Sequence, residues 1–393
     1  MRSAGVLAIV AVTASLTACA GPPGAATPSR MSPPRITVPL AATFATASGA
    51  IAVVAMGRIG DPLNTFWELF FRPDSTSRWT LVTPPGVADN GGLVASPGPA
   101  SIDGTRLLTG FEPSQDLAFS PLALTSDGGG SWSPGLVPSG LATVPDALAV
   151  SSGGQSLALV RARGGEVFRS AGNLSDWSEL VGRAALSSTA TGRSCGVVTL
   201  TAVAFAGAGS PLVGTTCASR GVVGIFGRSG GIWRLVGPRL SGTSEAAATK
   251  VLRLIDAGDA VSALVAAKTG STTSLIGVAG NGGGSWSRSS SLPLDPQSRV
   301  MSTGVEPGGG FVVLTSRPHG RPALDMEEGV GGGWRSLPSP PPGTAAVAVG
   351  TDGVVDALSE SLVQLTDWRL DASARTWSKI ETVTVPIQFG SSS

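Results

Sequence analysis

Apolar positions along this 393-residue chain come in short runs, broken by clusters of Gly, Ser, Asp and Pro. No useful length shows the 3.6-residue period of an amphipathic helix. The runs TFWELFFR, SPLALTS, EVFRSA, VVGIFGR, SLIGVAG, ALDMEE and LVQLTDWRL each lead through a turn-forming cluster to a tryptophan. Upstream lie further pairs folded around a small turn, such as RLIDAGDAVSALV, STGVEPGGGFVVLTS and AAVAVGTDGVVDALS. Each unit therefore predicts two successive hairpins, that is, four antiparallel strands.

The tryptophans give the period. Trp79, Trp132, Trp177, Trp233, Trp286, Trp334 and Trp377 follow one another at 53, 45, 56, 53, 48 and 43 residues. Units of about 50 residues with four strands each match a β-propeller, in which radial repetition leaves only short protected edges. The expected fold is all-β: a seven-bladed β-propeller of four-stranded antiparallel blades over residues 36–393. Each tryptophan would open an outermost strand and pack its ring between sheets. A stacked solenoid has shorter or helical repeats, and a pair of β-sandwiches leaves the recurrent tryptophan without a cause. The strand-like ends RITVPL and VPIQFG are both candidates to complete the ring.

Residues 1–18 open with Arg2 and run through the apolar stretch Val6 to Leu16, which reads as a secretory signal peptide. Leu16-Thr17-Ala18-Cys19 resembles the bacterial lipoprotein signal motif, which implies lipidation of Cys19 as the first residue of the mature chain. An ordinary signal or a membrane anchor preceding Cys19 is the alternative, although the run is short for a bilayer span. Residues 19–35, with their Pro/Gly/Ser/Ala-rich composition, are the expected tether. The protein is thus expected outside the cytoplasm, lipid-anchored to the cell membrane.

Composition then narrows the chemistry. Charged residues are 13% of the chain, and 27 basic against 26 acidic residues leave a net charge of +1 with no basic run, so nucleic acid is excluded as an expected partner. Tyr is absent and His319 is the one histidine, which removes Tyr nucleophiles, His-rich metal sites and most Ser-His-Asp schemes. No metal and no cofactor are expected. In an exported chain Cys195 and Cys217 are expected to form a disulfide, buried free thiols being the alternative. None of the GGG runs both follows a strand and opens a helix, so they read as turns and not phosphate loops.

The turn Thr125-Ser126-Asp127-Gly128-Gly129-Gly130-Ser131-Trp132 resembles the Asp-box of bacterial-neuraminidase-type repeats. Eroded copies precede Trp79, with Asp74, and Trp286, with Asn281; the remaining turns keep little beyond polarity, glycine or the tryptophan. In the families that carry it (sialidases, other glycoside hydrolases, sortilin-like receptors, photosystem-assembly factors) the Asp-box is structural and away from the ligand face. The resemblance therefore implies that Thr125, Asp127, Gly129, Ser131 and Trp132 build a turn. Sialidase chemistry, which needs a Tyr nucleophile, is contradicted by the composition.

Propeller ligands generally bind where the second-to-third-strand and blade-to-blade connections meet. The strand reading places Arg58, Asp61, Glu112, Asp116, Arg183, Arg193, Arg317, His319 and Arg321 there, with the Cys195–Cys217 pair pinning the same face. The leading expectation is a non-enzymatic, monomeric scaffold that binds a protein or a cell-envelope glycan. One alternative is a carbohydrate-active hydrolase or lyase whose acid and base converge from among Asp61, Glu112, Asp116, Asp146 and Asp352, which retaining or inverting chemistry would space at about 5 Å or roughly 6.5 to 9.5 Å. The other is an assembly factor for a membrane complex.

Overall fold

The computed structural model describes residues 41–42, 44–46, 49–57, 65–74, 76–84, 107–110, 122–135, 145–151, 153–161, 164–172, 174–207, 209–242, 247–256, 260–280, 285–317, 320–350 and 352–385. After the short β1 (Ala41–Ala42), the first antiparallel sheet comprises β2 (Phe44–Thr46), β3 (Gly49–Gly57), β4 (Thr65–Arg72) and β5 (Thr80–Leu81). Three described strands follow, β6 (Leu107–Gly110), β7 (Leu122–Thr125) and β8 (Ser133–Gly135). A four-stranded sheet is then made by β9 (Ala147–Val150), β10 (Ser156–Val160), β11 (Glu166–Ser170) and β12 (Trp177–Gly182).

Two short helices, α1 (Arg183–Ser188) and α2 (Ala190–Cys195), lead into β13 (Val197–Ala206), β14 (Ser210–Cys217), β15 (Ile225–Ser229) and β16 (Ile232–Leu235). The next meander is β17 (Ala248–Asp256), β18 (Val261–Thr269), β19 (Thr272–Gly280) and β20 (Trp286–Arg288), with β21 (Leu292–Leu294) also paired to β19. These two meanders form one nine-stranded sheet because β14 pairs with β17 at Thr216↔Lys250 and Cys217↔Thr249. Two four-stranded units complete the described chain: β22 (Arg299–Val305), β23 (Phe311–Ser316), β24 (Ala323–Glu327) and β25 (Trp334–Ser336), then β26 (Thr344–Val349), β27 (Val355–Ser361), β28 (Gln364–Asp371) and β29 (Thr376–Thr384).

The apolar runs are continuous, not alternating, because both faces of each central strand are covered. In β3, Ala50, Ala52, Val54 and Met56 join a core with Ala346, Ala348 and Leu358 of the β26–β29 sheet. The intervening Ile51 and Val53 join a second core with Leu107 and Ala123 of the β6–β8 sheet. Strand β10 behaves alike: Leu157 and Leu159 face the β13–β16 meander, while Ala158 and Val160 face β6–β8. Adjacent side chains in a strand point to opposite faces, so a strand sandwiched between two neighbouring sheets must be apolar at both parities.

The tryptophan repeat has the same origin. Trp132, Trp177, Trp233, Trp286, Trp334 and Trp377 each stand at or beside the start of an edge strand, in the core between their own unit and the preceding one. Trp79 takes the corresponding place between β2–β5 and β26–β29. Three indoles also reach the carbonyl just beyond the preceding unit's edge strand: Trp286 Nε1–H donates to Val236 O (2.8 Å), Trp334 to Ser290 O (3.0 Å) and Trp377 to Pro338 O (3.3 Å). The large ring fills the inter-sheet core, and its polar edge fixes how the sheets meet.

Two features depart from the sequence reading. The helices α1 and α2 occupy a segment whose 14 residues, RAALSSTATGRSCG, are too few to display a helical period. Among the described residues the β26–β29 sheet ends on its own β29, and β1 pairs in parallel with β22, Ala41↔Ser302 and Ala42↔Thr303. Residues 36–40 and 386–393 lie outside the described residues.

Candidate functional site

In each unit with four described strands, the antiparallel order puts the end of the second strand, the start of the third, the end of the fourth and the start of the first at one end, and the other strand ends at the opposite one. The first end is where the sequence reading placed its site. Arg58, Asp61, Glu112, Asp116 and His319 lie outside the described residues, as does Cys19. Arg317 and Arg321, both exposed, flank the β23–β24 connection, and Arg317 Nε stands 3.8 Å from Asp295 in the connection leading to that unit.

The best-defined construction at this end is the α1–α2 excursion. Leu186 anchors α1 in the core beneath it, fully buried. Thr189 caps α2, its Oγ1 accepting from Gly192 N–H at 2.8 Å, and Gly196 ends the helix in the left-handed region at φ 64°. The Cys195–Cys217 disulfide then ties α2 to the end of β14 with the Cα atoms 5.0 Å apart. Ser219 N–H donates to Cys195 O and Ala218 N–H to Gly196 O, both at 2.9 Å, so the 218–224 connection is clamped to the helix end. Gly224 is required beside the bridge because a Cβ there would lie 2.0 Å from Thr215 Oγ1 and 2.7 Å from Cys217 Sγ.

Charge at this end is arranged around arginine. Arg161 holds Asp146, with its Nε on Oδ1 at 2.7 Å and its backbone N–H on Oδ2 at 2.6 Å. Arg183 Nε donates to Gly164 O at 3.2 Å, and Arg193 Nη1 donates to Ser188 O. Asp352, weighed with Asp146 as part of a carboxylate pair, sits in the β26–β27 turn at the opposite end of the strands. These two described members of the proposed acid–base set therefore do not converge.

The opposite end carries the turns. Asp127 Oδ1 accepts from Thr125 Oγ1 (2.6 Å) and Ser131 N–H (2.9 Å), and Oδ2 accepts from Ser131 Oγ (2.6 Å). Those bonds, the Ser131 hydroxyl foremost, hold its carboxyl far below the usual carboxylate range. Gly129, at φ 96°, meets the neighbouring sheet so closely that a Cβ would lie 2.5 Å from Val82 Cβ. Asp74 is held down at about 2 by the Thr76 hydroxyl and N–H and by Ser77. Asp371, before Trp377, is lowered by Ser373 and Ala374 in the same manner.

Sequence reasoning missed Glu327. Counting back from Trp334 it occupies the place that Thr125 holds before Trp132, and its Oε1 accepts from Gly331 N–H (3.1 Å) as Thr125 Oγ1 accepts from Gly129 N–H (3.0 Å). Its carboxylate packs over Gly277 of β19, where a Cβ would lie 2.3 Å from either oxygen. Burial pushes its pKa up to about 7 against those backbone bonds, and the half-buried Glu306 beside it adds to the rise. Alignment of each turn on its tryptophan was the signal that could have found it.

Among the described residues no group of three or more His, Cys, Asp or Glu side chains is gathered to hold a metal, and no helix is long and apolar enough to cross a membrane. No family model matches the chain, and no curated protein matches it. Among solved structures, a putative 6-phosphogluconolactonase from Bacteroides uniformis is similar over 86% of this chain and 97% of its own, with 12% identity and a TM-score of 0.50. The fold is a β-propeller. At that identity the likeness speaks to the fold alone. YCF48 from Cyanidioschyzon merolae (13% identity, 81% of this chain and 93% of that one, TM-score 0.41) and the fucose-specific lectin from Aleuria aurantia (12%, 89% and 96%, 0.40) are similar more loosely.

Proposed function

We propose that this propeller is a monomeric, lipid-anchored scaffold outside the cytoplasm, binding a protein or cell-envelope glycan at the end that carries the α1–α2 excursion. The blades are seven: β2–β5, the unit of β6–β8, β9–β12, β13–β16, β17–β20, β22–β25 and β26–β29, each marked by its tryptophan. Apolar cores between successive units, and between the first and the last, support that count. The bonding of Asp127 to Thr125 and Ser131 supports reading the Thr125–Trp132 turn as a structural Asp-box.

The observation that carries the functional reading is the Cys195–Cys217 disulfide. It suits an oxidising compartment, in keeping with the signal peptide and the lipoprotein-like Cys19, and it stiffens the connections at one end. Rigid sheets presenting loops at one end are a common basis for recognition. Crosslinked pull-down of the full chain from membranes, beside a Cys19→Ala control, with mass spectrometry of proteins and glycans, tests this. A specific protein or envelope glycan is expected with the anchored chain and is lost in the control. Recovery of nothing specific from the anchored chain would overturn the scaffold, and a cytosolic chain with reduced Cys195 and Cys217 would overturn its location.

A further inference from the structure

We infer that the connections of β13–β16 and β17–β20 at the disulfide-bearing end form a binding platform for an anionic glycan polymer, one whose repeating units carry carboxylate or phosphodiester groups. This rests on the scaffold reading and deepens it by naming the ligand chemistry. The cations concerned are Arg193, Arg220, Arg239, Lys250 and Lys268, all exposed.

Hydrogen bonds bring their backbones together. The Ser219 N–H to Cys195 O bond joins the segment bearing Arg220 to the helix bearing Arg193. Gly221 N–H donates to Ala247 O (2.8 Å), Leu240 N–H donates to Gly221 O (2.7 Å), and Val222 bridges to Arg239. Lys250 lies opposite Thr216 of β14, and Lys268 lies opposite Ala248, two residues along β17 from Lys250 and on the same face of the strand. The five positive side chains therefore belong to one patch spanning two blades. Among the described residues none of them is in an ion pair; Glu245, in the connection bearing Arg239, lies outside the described residues.

The chain as a whole is near neutral, and the described turns at the opposite end mix Asp74, Asp127, Glu306, Glu328 and Asp352 with Arg78 and Arg375. Asp146 and Asp295 at this end stand beside Arg161 and Arg317, so the five cations of the patch create a local field for an anion where net charge gives none. Large apolar side chains are scarce in the patch: Val198, 53% exposed, is the one large exposed hydrophobic there among the described residues. A protein partner normally needs an apolar, desolvated centre; a repeating polyanion needs only spaced cations, with arginine forks suited to carboxylate and phosphate. The disulfide and the β14–β17 pairing hold the patch in place, so little ordering is left to oppose binding.

Titration of the purified full-length lipoprotein in detergent with polygalacturonate tests the inference, with dextran, poly-L-glutamate and the lipid headgroup glycerophosphoglycerol as comparison probes. Expected are binding to polygalacturonate that weakens with salt, at least a tenfold loss in R220E/R239E, and a log K versus log salt slope flatter by about one to two. R78E/R375E, at the opposite end, should stay within about twofold. Should R220E/R239E not fold, judged by circular dichroism and an intact disulfide, K250E/K268E reads the same patch with the same expected loss. Equal binding of dextran, preference for poly-L-glutamate or the headgroup, or unchanged affinity in the folded reversal variant overturns the inference. If polygalacturonate fails while the membrane pull-down retains a partner, only the ligand chemistry falls; if both fail, the scaffold reading falls with it.

Discussion

The junction between the β2–β5 and β26–β29 sheets is built unlike the junctions between units that follow one another along the chain. At β13–β16 to β17–β20, the indole of Trp286 meets a neutral carbonyl amid aliphatic side chains. At the closing junction, Trp79 Nε1–H donates to the Asp367 carboxylate at 2.8 Å, and Arg72 lies over the indole with its guanidinium carbon 4.8 Å from the ring centroid. Arg72 also bonds Asp356 and, at 3.0 Å, Asp367, while Arg369 Nε reaches Asp356 Oδ1 at 3.0 Å. Arg72, Asp356 and Asp367 are at most 1% exposed.

The difference follows from sequence distance. Consecutive units are delivered to each other along the chain, so apolar packing suffices, with an indole bond to the preceding unit at three of the junctions. The closing pair must find each other across 284 to 295 residues, and a buried charge cluster accepts only the partner and register that satisfy it. That specificity comes with desolvation, which together with Asp356 raises the pKa of Asp367 despite Arg72.

The largest effect is expected of Arg72→Ala, which strands two buried carboxylates and should lower stability by about 3–5 kcal/mol in urea unfolding. A loss below about 1 kcal/mol would mean that the cluster does not hold the junction. Next comes Cys195→Ala/Cys217→Ala, which removes a bridge of sequence separation 22 and should cost roughly 3 kcal/mol by the same measurement. The matched pair Trp79→Phe and Trp286→Phe sharpens the contrast: about 2 kcal/mol where a carboxylate loses its donor and about 1 kcal/mol where a carbonyl does. Equal costs would erase the distinction between the two kinds of junction.

The smallest effect is on pH. Glu327, raised by burial, contributes stability that is fully present below about 4.5 and is lost as pH rises through about 7; Asp367 is shifted in the same direction. The lowered Asp74, Asp127 and Asp371 act oppositely, their contribution disappearing only as pH falls below the usual carboxylate range. The melting temperature should therefore decline between pH 5 and pH 8, and Glu327→Gln should flatten that decline. An unchanged slope in the variant would show that Glu327 does not titrate in this window.

The blade pattern was legible in the sequence because the described units repeat one local solution, antiparallel strands and a turn leading to a tryptophan, with both parities of the central strands apolar. The disulfide was legible from two cysteines in a chain whose first residues resemble an export signal. Arg72 was not, since it sits in an eroded turn before Trp79 and its partners Asp356 and Asp367 lie at the far end of the chain. Nor was the basic patch, whose members come from α2, two connections and two strands, and are spread over 76 positions between Arg193 and Lys268 without forming a run. Helices α1 and α2 escaped because capping by Thr189 and Gly196, not periodicity, marks so short a segment.

We propose that this propeller works outside the cytoplasm on a lipid tether. The intact mass of the chain extracted from membranes tests it most directly. The expected chain begins at lipidated Cys19 and lacks the two hydrogens lost when Cys195 and Cys217 pair. A chain that keeps residues 1–18, carries no lipid and has both thiols free would contradict it.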